Sequence, residues 1–210
     1  MRVEVLLGPP GAGKGTMAAL ISDCAGLSVF VTGDVLRSEI ERESELGLSI
    51  KEDVEAGRLV DDKTILALVK DFLANHKEGV IFDGFPRTVN QARGLRSLIS
   101  SQDELRVVYL DVGTETILAR LGARRVCPEC GSIYNLRFSP PARDLVCDKC
   151  NTKLIRRKDD TDEVIRQRIG VYERRTAPLI DYFSDVLIKV DGNGTPSEVF
   201  ETVRGELCPG

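Results

Sequence analysis

The residues Gly8-Pro-Pro-Gly-Ala-Gly-Lys-Gly-Thr16 stand directly after the apolar run Val3 to Leu7 and directly before Met17-Ala-Ala-Leu-Ile21. A glycine-rich turn between a strand and a helix gathers unpaired backbone N–H groups and the positive end of a helix dipole on one anion. Gly8, Gly13 and Lys14 have the spacing of a phosphate-binding loop, in which the lysine meets the outer phosphates as a point charge. Gly15 separates Lys14 from Thr16, so the hydroxyl that usually follows the lysine is displaced by one residue. The loop therefore reads first as a phosphate cradle and only second as a magnesium site. A turn that merely caps a helix would use the same glycines.

Cys127, Cys130, Cys147 and Cys150 have the spacing C-x2-C-x16-C-x2-C, which suits two tight turns each offering two thiolates to a tetrahedral ion. Four cysteine ligands leave no position open for water, so the expected ion is a structural zinc that folds a segment lacking its own apolar core. A redox dithiol is the alternative, and it needs only one of the two pairs. Cys24 and Cys208 are expected to be unpaired core or tail residues.

Phosphoryl chemistry needs fixed cations, and arginine's planar fork holds two phosphate oxygens at once. Arg37, Arg87, Arg120, Arg124, Arg157 and Arg168 are candidates, with a solvated surface role as the alternative for each. Asp83 ends an apolar run near the phosphate loop, where a carboxylate orders magnesium or its waters, or else caps the next turn. The one histidine, His76, sits in Asn75-His76-Lys77-Glu78-Gly79 and reads as a solvated helix end, which leaves little material for histidine catalysis.

The elements that must carry these residues alternate. Short apolar strands at Val3 to Leu7, Ser28 to Thr32, Val80 to Phe82, Val107 to Asp111 and Asp185 to Val190 are separated by helical periodicity. That alternation predicts a mostly parallel sheet covered on both faces, with ligands at the carboxyl ends of its strands. Thr32-Gly33-Asp34 reads as a turn into a small helical insert that closes with Arg58-Leu59-Val60. Asp61 or Asp62 is expected to cap the next helix. Thr88 and Gln91 form the S/T-x-x-Q pattern of a capping box. The rhythm breaks at Gly122, and from Arg124 to Asp160 the chain is turn-rich. Asp160 and Glu163 are expected to restart a long helix that Pro178 kinks or shortens, and Pro196 to Leu207 is a closing helix.

The 210 residues suit one large domain or a core with inserts, and a net charge of -4 with interspersed signs gives no basic face for nucleic acid. No stretch approaches the roughly 20 apolar residues of a membrane span. No signal sequence is visible, so the expected address is the cytosol.

Gly8 to Thr16, Thr32-Gly33-Asp34, Asp83-Gly-Phe-Pro-Arg-Thr88 and Arg157-Lys-Asp-Asp160 together resemble adenylate kinase, in the long-lid form that carries zinc in many bacteria. The resemblance implies a five-stranded parallel sheet as the core (1–31, 61–122, 161–210), a monophosphate-binding insert (32–60) and a lid (123–160). It implies reversible, magnesium-dependent transfer between ATP and AMP, giving two ADP, by a monomer. Gly11, Ala12, Gly13, Lys14, Gly15 and Thr16 would hold the ATP phosphates, with Arg124, Ile133 and Tyr134 also on ATP, Arg120 against adenine and Gly194 nearby. AMP would meet Thr32, Arg37, Arg58, Leu59, Val60, Gly84, Phe85, Pro86, Arg87 and Gln91, with Arg157 and Arg168 near the transferring group. Lys14, Asp83, Arg87, Arg124, Arg157 and Arg168 would carry the catalysis. The residues themselves leave open a UMP or CMP acceptor, a GTP donor, and a nucleotide-gated zinc-ribbon binding module.

Overall fold

A computed structural model describes residues 1–157 and 159–208. Five parallel strands form the central sheet: β1 (Arg2–Leu7), β2 (Ser28–Val31), β3 (Gly79–Asp83), β4 (Glu104–Asp111) and a last strand, Leu187–Asp191, in the order β2-β3-β1-β4-last. Every neighbouring pair is parallel, with Val3 beside Val80 and Leu105. Val3 to Leu7 are all buried because β1 is central and covered on both faces, which is why it reads as a mostly apolar run, broken only by Glu4, whose buried carboxylate pairs with Arg2 at 2.6 Å.

One face of the sheet is covered by α1 (Lys14–Ala25), a helix at Thr114–Ala123 and the closing helix Pro196–Leu207, whose Met17, Ile21, Leu121, Val203 and Leu207 share one apolar cluster. The other face is covered by helices Asp62–Asn75, Val89–Leu98 and Leu179–Tyr182, around Val69, Phe82, Phe85, Leu95 and Phe183. Into this second cluster the insert sends Leu36, Ile50 and Val60 from α2 (Thr32–Glu41), α3 (Glu45–Glu55) and the segment after them. A separate two-stranded hairpin, Arg124–Val126 with Ile133–Asn135, opens the cysteine-bearing segment.

Several local expectations shift. Thr32-Gly33-Asp34 is the first turn of α2 rather than a loop before it. Asp61 caps the Asp62–Asn75 helix through the Thr64 N–H, at 3.0 Å. Thr88 caps its helix by accepting from Gln91 N–H, but the Gln91 side chain reaches past the cap to the Arg87 N–H, so the box is only half formed. Thr161, not Asp160, caps the helix Asp162–Val171, because the Asp160 carboxylate is buried among arginines. That helix passes into a π-helical turn, Tyr172–Thr176, before Pro178.

Cys24 and Cys208, expected to be unpaired, are joined by a disulfide with a Cα separation of 5.5 Å. The reason is topological. Both α1 and the closing helix start at carboxyl ends of strands and run back side by side, so their last turns meet at the opposite edge of the sheet. Sequence spacing across 184 positions carries no sign of that meeting.

Candidate active site and metal centre

The carboxyl ends of the strands open into a cleft of about 340 Å³. Its floor is the phosphate loop. Gly13 caps α1 at φ 100°, a left-handed conformation that glycine adopts without strain. Lys14 follows, its Nζ donating to the Gly8 and Pro9 carbonyls at 2.9 Å each. A Cβ at Gly15 would lie 3.2 Å from Asp83 Oδ2, so the glycine that displaces Thr16 is what admits the Asp83 carboxylate to the start of the helix. Thr16 itself is exposed and lines the cleft. Burial lowers the Lys14 ammonium to about 8, partly opposed by Asp83, and burial raises Asp83 above the usual carboxylate range, partly opposed by Lys14.

In a chain of net charge -4 the cleft is lined by Lys14, Arg37, Arg87, Arg120, Arg124, Arg157 and Arg168 against the carboxylates of Asp34 and Asp83. All six candidate arginines therefore converge. Carboxylates to which the sequence assigns no such role hold several of them. Asp160, fully buried, takes Arg124 in a two-pronged pair, with Nε to Oδ2 at 2.7 Å, and also receives Arg168 at 3.4 Å. Asp159 lies 3.2 Å from Arg168 and 3.8 Å from Arg37, and Asp34 lies 2.5 Å from Arg37. Burial, then the charge of Arg124, lowers Arg168 to about 10. Lys158, between Arg157 and Asp159, lies outside the described residues.

At the outer end of the cleft, Arg120 donates to the carbonyls of Ala12 at 3.2 Å and Gly194 at 3.0 Å, and its guanidinium lies 5.6 Å from the centre of the Phe138 ring. Ile133, Tyr134 and Asn135 line the same end, as do Gly11, Ala12 and Gly194. These residues make a partly apolar slot bounded by backbone, suited to an aromatic base.

A second, smaller cavity of about 70 Å³ shares Pro10, Lys14, Arg87 and Arg168 with the first. Leu59, Gly84 and Pro86, which the resemblance assigns to AMP, line it, joined by Gly57, Tyr172 and Thr176, to which sequence reasoning gave no site role because nothing local marks them. Other residues that the resemblance assigns to AMP stand outside its lining. Thr32 is buried and its hydroxyl has no partner among the described residues. Val60 and Phe85 belong to the core, with the Phe85 ring 5.2 Å from that of Phe82. Arg58 turns outward to Asp53 at 2.7 Å and Glu52 at 2.9 Å. Gln91 is buried, accepting from the Arg87 N–H at 2.8 Å and donating to Asp62 at 2.9 Å.

The four knuckle cysteines bring their Sγ atoms within 4.8 Å of one another, with contacts of 3.3 to 3.6 Å. Thiolates about 2.3 Å from a tetrahedral zinc stand about 3.8 Å apart, so the donor set and its dimensions fit that ion. The Tyr134 hydroxyl lies 3.4 Å from Cys147 Sγ and accepts the Asp148 N–H at 2.8 Å. Its hydrogen bond pulls the Cys147 thiol down to about 6, while burial pushes Cys127 up to about 11. Among the described residues, no helix is long and apolar enough to cross a membrane.

The family model described as Adenylate kinase matches residues 6–187 of this chain. The chain is 43% identical to the adenylate kinase of Clostridium novyi over 209 residues, covering 97% of both proteins. It is also 43% identical to that of a Hydrogenobaculum species over 211 residues, covering 98% of this chain and all of the relative. The adenylate kinase of Clostridium tetani is 42% identical over 209 residues, again 97% of both. A likeness of this depth along nearly the whole length means that the chain belongs to the adenylate kinase family of phosphotransferases.

Proposed function

We propose that the chain transfers the terminal phosphoryl group of ATP reversibly to AMP, giving two ADP. The observation that carries this reading is the shared wall. Lys14, Arg87 and Arg168 line both cavities, so the phosphates of two nucleotides would meet across the same three cations. The donor lies along the phosphate loop, with its base in the slot of Arg120, Phe138 and Gly194 and its outer phosphates at Gly13, Lys14 and Thr16. The acceptor base lies against Leu59, Gly84 and the unpartnered Thr32 hydroxyl, and its phosphate faces Arg37 and Arg87.

An acceptor phosphate oxygen, already ionised near neutral pH, attacks the terminal phosphorus of the donor. The bond to the bridging oxygen breaks and its electron pair stays on the leaving ADP. No side chain needs to remove a proton, which agrees with a cleft that holds cations and no histidine. Catalysis then rests on alignment and on neutralising charge on the transferring group, the work of Lys14, Arg87, Arg124, Arg157 and Arg168. Asp159 and Asp160 hold Arg168 and Arg124 in place before substrate arrives. Asp83 is the residue that would hold the water shell of a magnesium ion, whose charge would offset that of the donor phosphates.

The insert 32–60 and the zinc-bearing lid 123–160 close over the two substrates and exclude water, which protects ATP from hydrolysis. The same reading carries a monomer in the cytoplasm, acting in nucleotide homeostasis. Its test is ADP formation from magnesium and ATP with each nucleoside monophosphate in turn. Rapid turnover confined to AMP is expected. Preference for UMP or CMP would move the chain to another acceptor, and no turnover with any acceptor would leave a nucleotide-binding module.

A further inference from the structure

Arg87 and Arg168 are the two arginines common to both cavities, yet they stand on different segments, one in the loop after β3 and one in the last turn of the helix Asp162–Val171. Among the described residues, one side-chain hydrogen bond joins those segments directly. Thr176, 8% exposed, donates its hydroxyl to the Arg87 carbonyl at 2.9 Å. In an unbroken α-helix, Thr176 would stand about 80° around the axis from Arg168, since eight residues advance two turns and that remainder. The π-helical turn Tyr172–Thr176, closed by the Ala177 N–H on the Tyr172 carbonyl at 2.9 Å, advances less per residue and swings Thr176 back toward the side that carries Arg168.

The Arg87 peptide is held from its other side as well. Its N–H donates to Gln91 Oε1 at 2.8 Å, Gln91 is anchored on Asp62 at 2.9 Å, and Arg87 Nε donates to the Gly84 carbonyl at 2.8 Å. Gln91 and Asp62 tie the loop to its own face of the sheet, whereas Thr176 is the bond that ties it to the segment bearing Arg168. Thr176 also borders the smaller cavity together with Leu59 and Gly84.

We propose that Thr176 is a positioning residue for phosphoryl transfer, fixing Arg87 relative to Arg168 through the Arg87 carbonyl, with the π-helical turn as the device that brings its hydroxyl there. This inference rests on the transfer reading above. It applies to the acceptor and the transferring group, because among the described residues no hydrogen bond runs from the Thr176 side chain or the Arg87 carbonyl to the donor's loop or base slot.

The test compares Thr176→Val, which keeps the shape and loses the hydroxyl, with Thr176→Ser, which keeps the hydroxyl. The valine variant is expected to lose about tenfold in kcat, with an acceptor KM raised several-fold and a donor KM within about twofold, as a small misplacement of a charge-neutralising group predicts. The serine variant is expected to recover to within about twofold of the parent. A valine variant that melts lower but keeps the parent's kinetics overturns the inference, and so does an equal rise in both KM values. Should valine prevent folding, Thr176→Ala against Thr176→Ser carries the same comparison. An inactive parent chain would instead sink the transfer reading. Calorimetric titration with AMP alone then decides the matter without turnover: binding weakened several-fold in the variant lacking the hydroxyl supports the inference, and equal affinity overturns it.

Discussion

The two segments that cover the cleft obtain their shape from different sources. The helical insert buries Leu36, Ile50 and Val60 in the same apolar cluster as Phe82 and Phe85, so its fold is continuous with that of the sheet. Among the described residues, the apolar cluster of the cysteine-bearing segment holds only Cys127, Cys147 and Leu154, with Tyr134 packed against them. Three buried aliphatic side chains contribute about 5 to 9 kcal/mol of apolar transfer. A pair of cysteines and one leucine fall well short of that, whereas a four-thiolate zinc site contributes about 10 to 16 kcal/mol to a small fold at neutral pH. A covering element can thus be made by extending the core, or by a metal that stands in for a core of its own.

Removing the metal should break this contrast most severely. Chelation, or Cys147→Ser, is expected to unfold the lid and lower transfer by about a hundredfold or more, as loss of structural zinc unfolds small metal domains. The main thermal transition of the core should stay in place. Circular dichroism, limited proteolysis and ADP formation on the same sample decide it, and a lid that stays folded and protease-resistant without metal would refute the argument.

On the proposed reading, a pH series separates the donor, whose phosphates rest on Lys14, from the acceptor, which has arginines beside it as well. With its ammonium lowered to about 8, Lys14 is charged below that pH and loses its proton as pH rises through it. A bound phosphate favours the charged form, so donor binding takes up a proton above pH 8. The Kd of a non-hydrolysable ATP analogue should then rise, approaching tenfold per pH unit. AMP, whose phosphate on the proposed reading faces Arg37 and Arg87 as well as Lys14, should lose less affinity across the same window. Parallel titrations from pH 7 to 9.5 check this, and a flat donor curve would refute it.

The smallest effect is expected from the seam inside the helical insert. A Cβ at Gly47 would lie 2.0 Å from the Glu39 carbonyl oxygen, so α2 and α3 touch backbone to backbone there. Gly47→Ala must part them, at about 1 to 3 kcal/mol. The acceptor KM should rise a few-fold, with metal content and donor KM unchanged. Equal effects on both substrates would mean that the two covers are not independent.

What could be read from sequence divides along the same physical line. The phosphate loop, the parallel strands, the Thr88 and Asp61 caps and the four-cysteine knuckle are written in residues a few positions apart, where spacing alone sets geometry. The roles of Asp159 and Asp160 were not legible. In sequence Asp160 resembles a helix cap, and only the fold shows Arg124 and Arg168 turned onto it while Thr161 takes the cap. Gln91 likewise has two plausible local partners, and burial between Arg87 and Asp62 decides between them. The π-helical turn leaves no mark in periodicity because it shifts the register by a single residue.

The bond between Cys24 and Cys208 alters how the molecule should be pictured as a covalent object. The chain is a closed ring with two tails rather than a line, its clasp at the edge of the sheet away from the cleft. Closing a loop of that length removes about 5 kcal/mol of disorder from the unfolded chain. Both covers are festoons on that ring. A single cut in either one would open the circle without releasing a fragment, and the severed ends would stay tethered through the core on which the two substrates converge.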